Sequence, residues 1–328
     1  MLAEQAATGE RLRRLFGKNS PMGGSLTLII TLVIMIVVFT AMSPYFLQVE
    51  NLLNIARSIA IIGIVAVGET IVLISGGIDM SIAAVMALGG LAATAVIRAG
   101  QPFYVAFAAA LAAGALVGFI NGGIVTRLHI NPLITTLAIG QIVRGLAYVG
   151  TGGYTLTVAL RGYTDLGRGR LFGLIPYPVI LLAVTYVVAH IWLNRNIGGR
   201  YVYSIGGNAL ACRLAGLDVD RWRIVFYMLG GIFAAFGGYV LSSLVGASMG
   251  NAALGVELDV ISGVVLGGAS LAGGEGTIIG TLLGVLVLGT LTNGLIMLNV
   301  SSFWQMVARG SVLLIAVLLD AWRSGGYR

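Results

Sequence analysis

From Ser25 to Asp320 the sequence is a succession of apolar runs, most of them close to the ~20 residues that a helix needs to cross a hydrocarbon layer, with short polar breaks between them. A chain patterned this way has few folds open to it. In lipid every backbone N–H and C=O must be satisfied within the chain, so only helices or a closed barrel can span. The runs are built from Leu, Ile, Val, Ala and Gly and lack the ten-residue alternation of barrel strands. With 58% hydrophobic and 9% charged residues, the chain is not a water-soluble globule, whose charged share is about 25%. The expectation is an all-α polytopic membrane protein.

The spans fall at roughly 25–42, 52–74, 80–98, 103–126, 132–150, 173–193, 224–246, 257–272, 276–296 and 302–320. An even number of crossings follows, ten or eight, the count turning on the short 257–272 segment, which begins with two acids and could enter and leave from one side. The first run is too long for a signal-peptide core and has no small-residue cleavage site after it, so it reads as a retained span. Alternation from a cytoplasmic N-terminus puts Arg11, Arg13, Arg14, Lys18, Arg127, Arg195, Arg200, Arg213, Arg221, Arg223, Arg323 and Arg328 inside. Only Arg98, Arg161, Arg168 and Arg170 fall outside. The positive-inside rule thus explains the net charge of +7 and predicts both termini in the cytoplasm. The expected organisation is a cytoplasmic segment 1–24, one transmembrane domain 25–320 with a cytoplasmic loop 194–223, and a cytoplasmic tail 321–328.

"SGGIDMSIAAVMALGGLAAT" from Ser75 and "AGGEGTIIGTLLGVLVLGTL" from Ala272 both set a Gly-Gly pair before a Gly- and Ala-rich span. The echo suggests two pseudo-related halves with broken or re-entrant helices near Gly76 and Gly273, as transporters build around a midplane pathway. Close helix packing is the plainer use for most of the 49 glycines.

Chemistry other than transport finds little support. The only lysine, Lys18, has Leu12 where a phosphate-binding loop needs glycine. No G-x-S-x-G elbow, H-E-x-x-H pair or Cys-His cluster is present; Cys212 is the sole cysteine, and His129 and His190 are isolated. Neither an enzyme nor a metal site is expected. Polar residues within spans are costly and default to a functional reading. Asn54, Glu69, Asp79, Asn121, Gln141 and Arg144 are the candidates for a solute pathway; Gln141 and Arg144 lie three apart on one helix face, and neutral hydrogen-bonding groups with an arginine suit an uncharged polyhydroxylated solute better than an ion. Arg57 and Arg309, near span ends, read more readily as snorkelling or structural pairing, and Asp79 more readily as a helix-start cap than as a solute contact. Asn293 is a further intramembrane polar residue.

The stretch "GGNALACRLAGLDVDRWR", Gly206 to Arg223, breaks the apolar pattern. Asn208 suits an N-cap and Gly216 a C′ position, leaving about two helical turns between them. Leu210, Leu214 and Leu217 form an apolar stripe rimmed by Arg213, Asp218, Asp220 and Arg221. A helix this short is marginal alone, so it docks either on its own membrane domain or in the groove of a soluble partner.

This stretch resembles the coupling loop of permease subunits in the ribose-type branch of bacterial ABC sugar importers. Asn51 to Val85, Glu257 to Leu295 and Ser301 to Asp320 resemble the same family, so the likeness runs through nearly the whole chain. It implies an inner-membrane permease that works with a second permease subunit, a cytoplasmic ATPase carrying ATP and Mg, and a periplasmic sugar-binding protein, with no cofactor of its own. It gives the ATPase-coupling role to Asn208, Arg213, Leu214, Gly216 and Asp218, to which the stripe and its rim add Leu210 and Arg221, and sets Gly76, Gly77, Asp79, Ser81, Gly273 and Gly274 in family motifs. Glu69 stands where the family usually has methionine, and Ala83 where it has glycine. The rival expectation is a cation-coupled secondary transporter, which also uses repeats and broken helices.

Overall fold

The structure is a computed structural model that describes residues 21–324. The expected N-terminal segment through residue 20, and residues 325–328 of the tail, lie outside the described residues. The chain runs through α1 (Pro21–Met42), α2 (Val49–Ile74), α3 (Ile82–Arg98), α4 (Phe103–Arg127), α5 (Pro132–Thr151), α6 (Arg161–Arg168), α7 (Tyr177–Arg195), α8 (Ile197–Leu214), α9 (Val219–Val245), α10 (Val256–Leu266), α11 (Ile278–Met297) and α12 (Ser302–Ser324). Two-residue ladders join β1 (Leu156–Thr157) to β4 (Ala247–Ser248) and β2 (Arg170–Leu171) to β3 (Ile175–Pro176).

Among the described residues, eight helices (α1, α2, α4, α5, α7, α9, α11 and α12) are long and apolar enough to cross a membrane. The other two expected spans are helical but short, with 17 residues in α3 and 11 in α10. At 1.5 Å per residue α10 is about 16 Å long, roughly half the hydrocarbon thickness, so it is too short to cross by itself. Two expected boundaries move. Helix α9 starts at Val219 because Asp218 caps it, its carboxylate accepting the Arg221 N–H at 3.1 Å, and α7 starts only after the β2–β3 hairpin.

Helix α9 is the hub, and glycines let its neighbours reach it. On α4, Gly114, Gly118 and Gly122 recur every four residues and face Gly231, Tyr227 and Ile224 of α9. A methyl at Gly114 would overlap the Gly231 carbonyl, and one at Gly118 the Tyr227 carbonyl. Gly89 of α3 meets Ala235, and Gly68 of α2 meets Gly230. This is small-residue packing of the kind that replaces the hydrophobic drive between helices in lipid. Hydrogen bonds add to it between α2 and α11: Asn51 and Asn293 exchange amide bonds of 3.1 and 2.9 Å, and the Thr70 and Thr281 hydroxyls lie 2.8 Å apart.

Arg309 settles as a structural pair, its guanidinium 2.8 Å from Asp259 and tying α12 to α10. Both side chains are partly shielded, so an unpaired survivor is costly. Arg309→Met is expected to lower stability by about 1–3 kcal/mol, and adding Asp259→Asn to recover most of it, as read from thermal unfolding in detergent.

Candidate functional site

The sequence places a capped short helix after Gly206, and the structure builds it as the end of a longer one. Helix α8 runs from Ile197, and Asn208 within it leaves helical geometry at φ −157°, ψ 92°. At that kink the Asn208 side chain accepts the Ala211 N–H at 2.9 Å, so the piece Asn208–Leu214 carries its own N-cap. Gly216, at φ +86°, closes it as Gly216 N–H and Leu217 N–H donate to the Arg213 and Cys212 carbonyls. The expected caps are therefore both in place.

The stripe is shorter than its spacing suggested. Leu210 is 68% and Leu214 83% exposed, whereas Leu217 turns inward against the core. Packing of the whole stripe on the membrane domain is thus not what the chain does. Arg213 bridges to Asp220 at 2.5 Å across the turn into α9, and Arg221 to Asp218 at 2.8 Å. These exposed pairs add little stability, but they orient charge around the two leucines.

The two sequence breaks are also real. Helix α2 stops at Ile74, and α3 begins at Ile82 after a turn in which Gly76 takes φ +81°; α10 stops at Leu266, and α11 begins at Ile278 after Gly273 takes φ +87°. A side chain disfavours both conformations. Within the first break the Asp79 carboxylate accepts the Ser81 N–H at 2.8 Å and the Ser81 hydroxyl at 2.5 Å, and the Asn121 amide donates to Ser81 Oγ at 2.9 Å. Asp79 thus braces the turn ahead of α3 and leaves Ser81 as its capping residue. Glu69, from α2, accepts the Asp79 N–H at 3.2 Å.

Three of the six candidate pathway residues, Glu69, Asp79 and Asn121, therefore come together, and all are fully buried. Oxygens Glu69 Oε2, Asp79 Oδ2 and Asn121 Oδ1 have no hydrogen-bond partner in the structure, and among the described residues neither acid is in an ion pair. The other three lie apart. Asn54 is exposed and pairs with Arg57, Gln141 is exposed, and Arg144 reaches across to the Gly250 carbonyl at 2.9 Å. Sequence spacing missed Thr136, whose hydroxyl accepts the Met80 N–H at 3.0 Å and secures the break from α5. A threonine one turn into a span carries no signal of such a contact.

Residues 51–317 match the family described as branched-chain amino acid transport system / permease component. The ribose import permease protein of Escherichia coli strain K12 is 39% identical over 296 residues, covering 89% of this chain and 92% of that protein. The ribose import permease protein of Bacillus subtilis strain 168 is 39% identical over 99% of this chain and 100% of its own length. The L-arabinose transport system permease protein of Escherichia coli strain K12 is 38% identical over 95% of this chain and 94% of its own. No solved structure matches. With a family match across most of its length and relatives of this identity from end to end, the chain belongs to the transport-system permease family, in its ribose-type branch.

Proposed function

We propose that this permease passes a monosaccharide across the bacterial inner membrane by alternating access, receiving it from a periplasmic binding protein and driven by ATP hydrolysed on a separate cytoplasmic subunit. The observation that carries the reading is the self-capped helix Asn208–Leu214 with Leu210 and Leu214 exposed beside a ring of charges. An exposed apolar tip of this kind fits a groove in a soluble partner. In this reading Leu210 and Leu214 anchor, Arg213, Asp218 and Arg221 set partner choice, Asn208 and Gly216 hold the shape, and the loop and both termini lie in the cytoplasm. The ATP and Mg belong to the partner, and a second permease subunit, identical or not, completes the pathway. Asn54, Gln141 and Arg144, which reach the chain's surface, meet the solute, while Glu69, Asp79 and Asn121 support the break behind it.

The relatives named for ribose and L-arabinose favour a pentose, and the family description names amino acids. Uptake into proteoliposomes holding the assembled importer separates the two. Labelled ribose entry that requires the binding protein and is competed by pentoses or hexoses is the expected result; competition by leucine and not by sugars would overturn the substrate class.

One observation favours the rival reading of a cation-coupled carrier, namely the fully buried acids Glu69 and Asp79 with no basic partner among the described residues, a common feature of ion relays. That carrier would go on importing without the ATPase and would stop on addition of an uncoupler.

A further inference from the structure

Gly76, Gly206 and Gly273 come from three distant parts of the chain, and their backbones touch. Gly76 lies in the first break and Gly273 in the second, while Gly206 sits in α8 two residues before the Asn208 kink. A Cβ on Gly273 would stand 2.8 Å from the Gly76 Cα and 3.1 Å from the Gly206 carbonyl oxygen. A Cβ on Gly206 would overlap the Ile74 carbonyl oxygen and stand 2.6 Å from the Gly274 nitrogen. Two hydrogen bonds close the junction: Gly274 N–H donates to the Ile74 carbonyl at 2.8 Å, and the Tyr203 hydroxyl donates to the Gly276 carbonyl at 2.9 Å.

These contacts differ from the other glycine crossings. Gly114 and Gly231 join two continuous helices along their sides, whereas this junction joins the turns that end α2 and α10 to the helix that carries the docking tip. Side chains that intervene between two elements can absorb a small shift by changing rotamer. Backbone seated directly on backbone has no such slack, so a displacement of one piece must move the others or break the contact.

We infer that Gly206 is a positioning residue through which a stroke of the coupling helix reaches both breaks at once, so that the two pseudo-related halves respond together. The inference rests on the docking of Asn208–Leu214 to an ATPase and adds to that reading the route by which its motion enters the membrane. Gly207, its neighbour, supplies an internal control, because a Cβ there meets nothing within 4 Å.

The test is solute imported per ATP hydrolysed by the reconstituted complex, a ratio that simple loss of folded protein leaves unchanged. Gly206→Ala is expected to keep its ATPase bound and hydrolysing while the ratio falls about tenfold, and Gly207→Ala to stay within about twofold of the parent. A parental ratio in folded, ATPase-bound Gly206→Ala would overturn the inference, as would loss of ATPase binding by that variant, which would place Gly206 in docking and not in transmission. If Gly206→Ala fails to fold, Tyr203→Phe, which removes only the bond to Gly276, decides by the same ratio: a lowered value supports the junction and a parental one overturns it. A parent chain that binds no ATPase would be a different result, removing the docking reading and the junction's role with it.

Discussion

The double variant Arg213→Glu, Leu214→Asp is expected to insert and fold normally, yet to lose its ATPase on purification and its uptake with it. Folding is spared because Leu214 is 83% exposed and the Arg213–Asp220 bridge is a surface pair. Such a pair contributes at most about 1 kcal/mol. The caps that shape the helix, Asn208 and Gly216, are left untouched. Docking is not spared. Burying a leucine in a partner's groove contributes about 1.5–3 kcal/mol, and an aspartate there adds an unpaired charge in a desolvated pocket. The reversed charge at position 213 also repels Asp220. A combined loss above about 3 kcal/mol weakens association more than a hundredfold. Undiminished co-purification at parental expression would remove the helix from the interface.

The largest effect on folding is expected from Gly114→Leu. Its side chain would have to occupy the place of the Gly231 carbonyl and of Ala235, whose Cβ stands 2.6 Å from the added Cβ, at the crossing of α4 and α9. Neither obstacle can rotate away, because one is backbone and the other a methyl on a packed helix. Overpacking in ordinary cores costs about 1–3 kcal/mol, and here the whole crossing must separate, so a cost of more than about 3 kcal/mol is expected. Gly123→Leu on the same helix, where an added Cβ meets nothing within 4 Å, should be nearly silent. Yield of monodisperse protein and the thermal midpoint of the two variants check this; equal behaviour would refute the close crossing.

The two glycines also show what a sequence can and cannot convey here. Gly114 and Gly123 sit in the same apolar run and look alike, because the difference lies in which face α9 covers. Eight of the ten spans were legible, since length and hydropathy decide them locally, and so were the caps at Asn208 and Gly216, which depend on residues two or three positions away. The Leu210–Leu214–Leu217 stripe was half right. Spacing put all three on one face of an unbroken helix, but the chain turns at Gly216 and carries Leu217 into the core.

Long-range contact accounts for the rest. Asp79 looked like a helix cap, and its partner Asn121 lies 42 positions on, in a different helix. The meeting of Gly76, Gly206 and Gly273 is invisible in a chain with 49 glycines, although the paired Gly-Gly motifs marked two of its three members. The six polar candidates were chosen for being polar within spans. That criterion could not distinguish the three that gather under the first break from the three that lie apart from it.

The claim on which the account turns is that the tip of α8 sits in an ATPase. Because Cys212 is the only cysteine, a Cys212→Ser background with Leu214→Cys places a single thiol on the tip of the helix, at a position that is 83% exposed. Modified with a short photoactivated cross-linker in membranes that hold the complete importer, this thiol is expected to give one major adduct, with the ATP-binding subunit, whose yield changes with nucleotide. Adducts confined to lipid or to the permease itself, in membranes that still import solute at the expense of ATP, would contradict it.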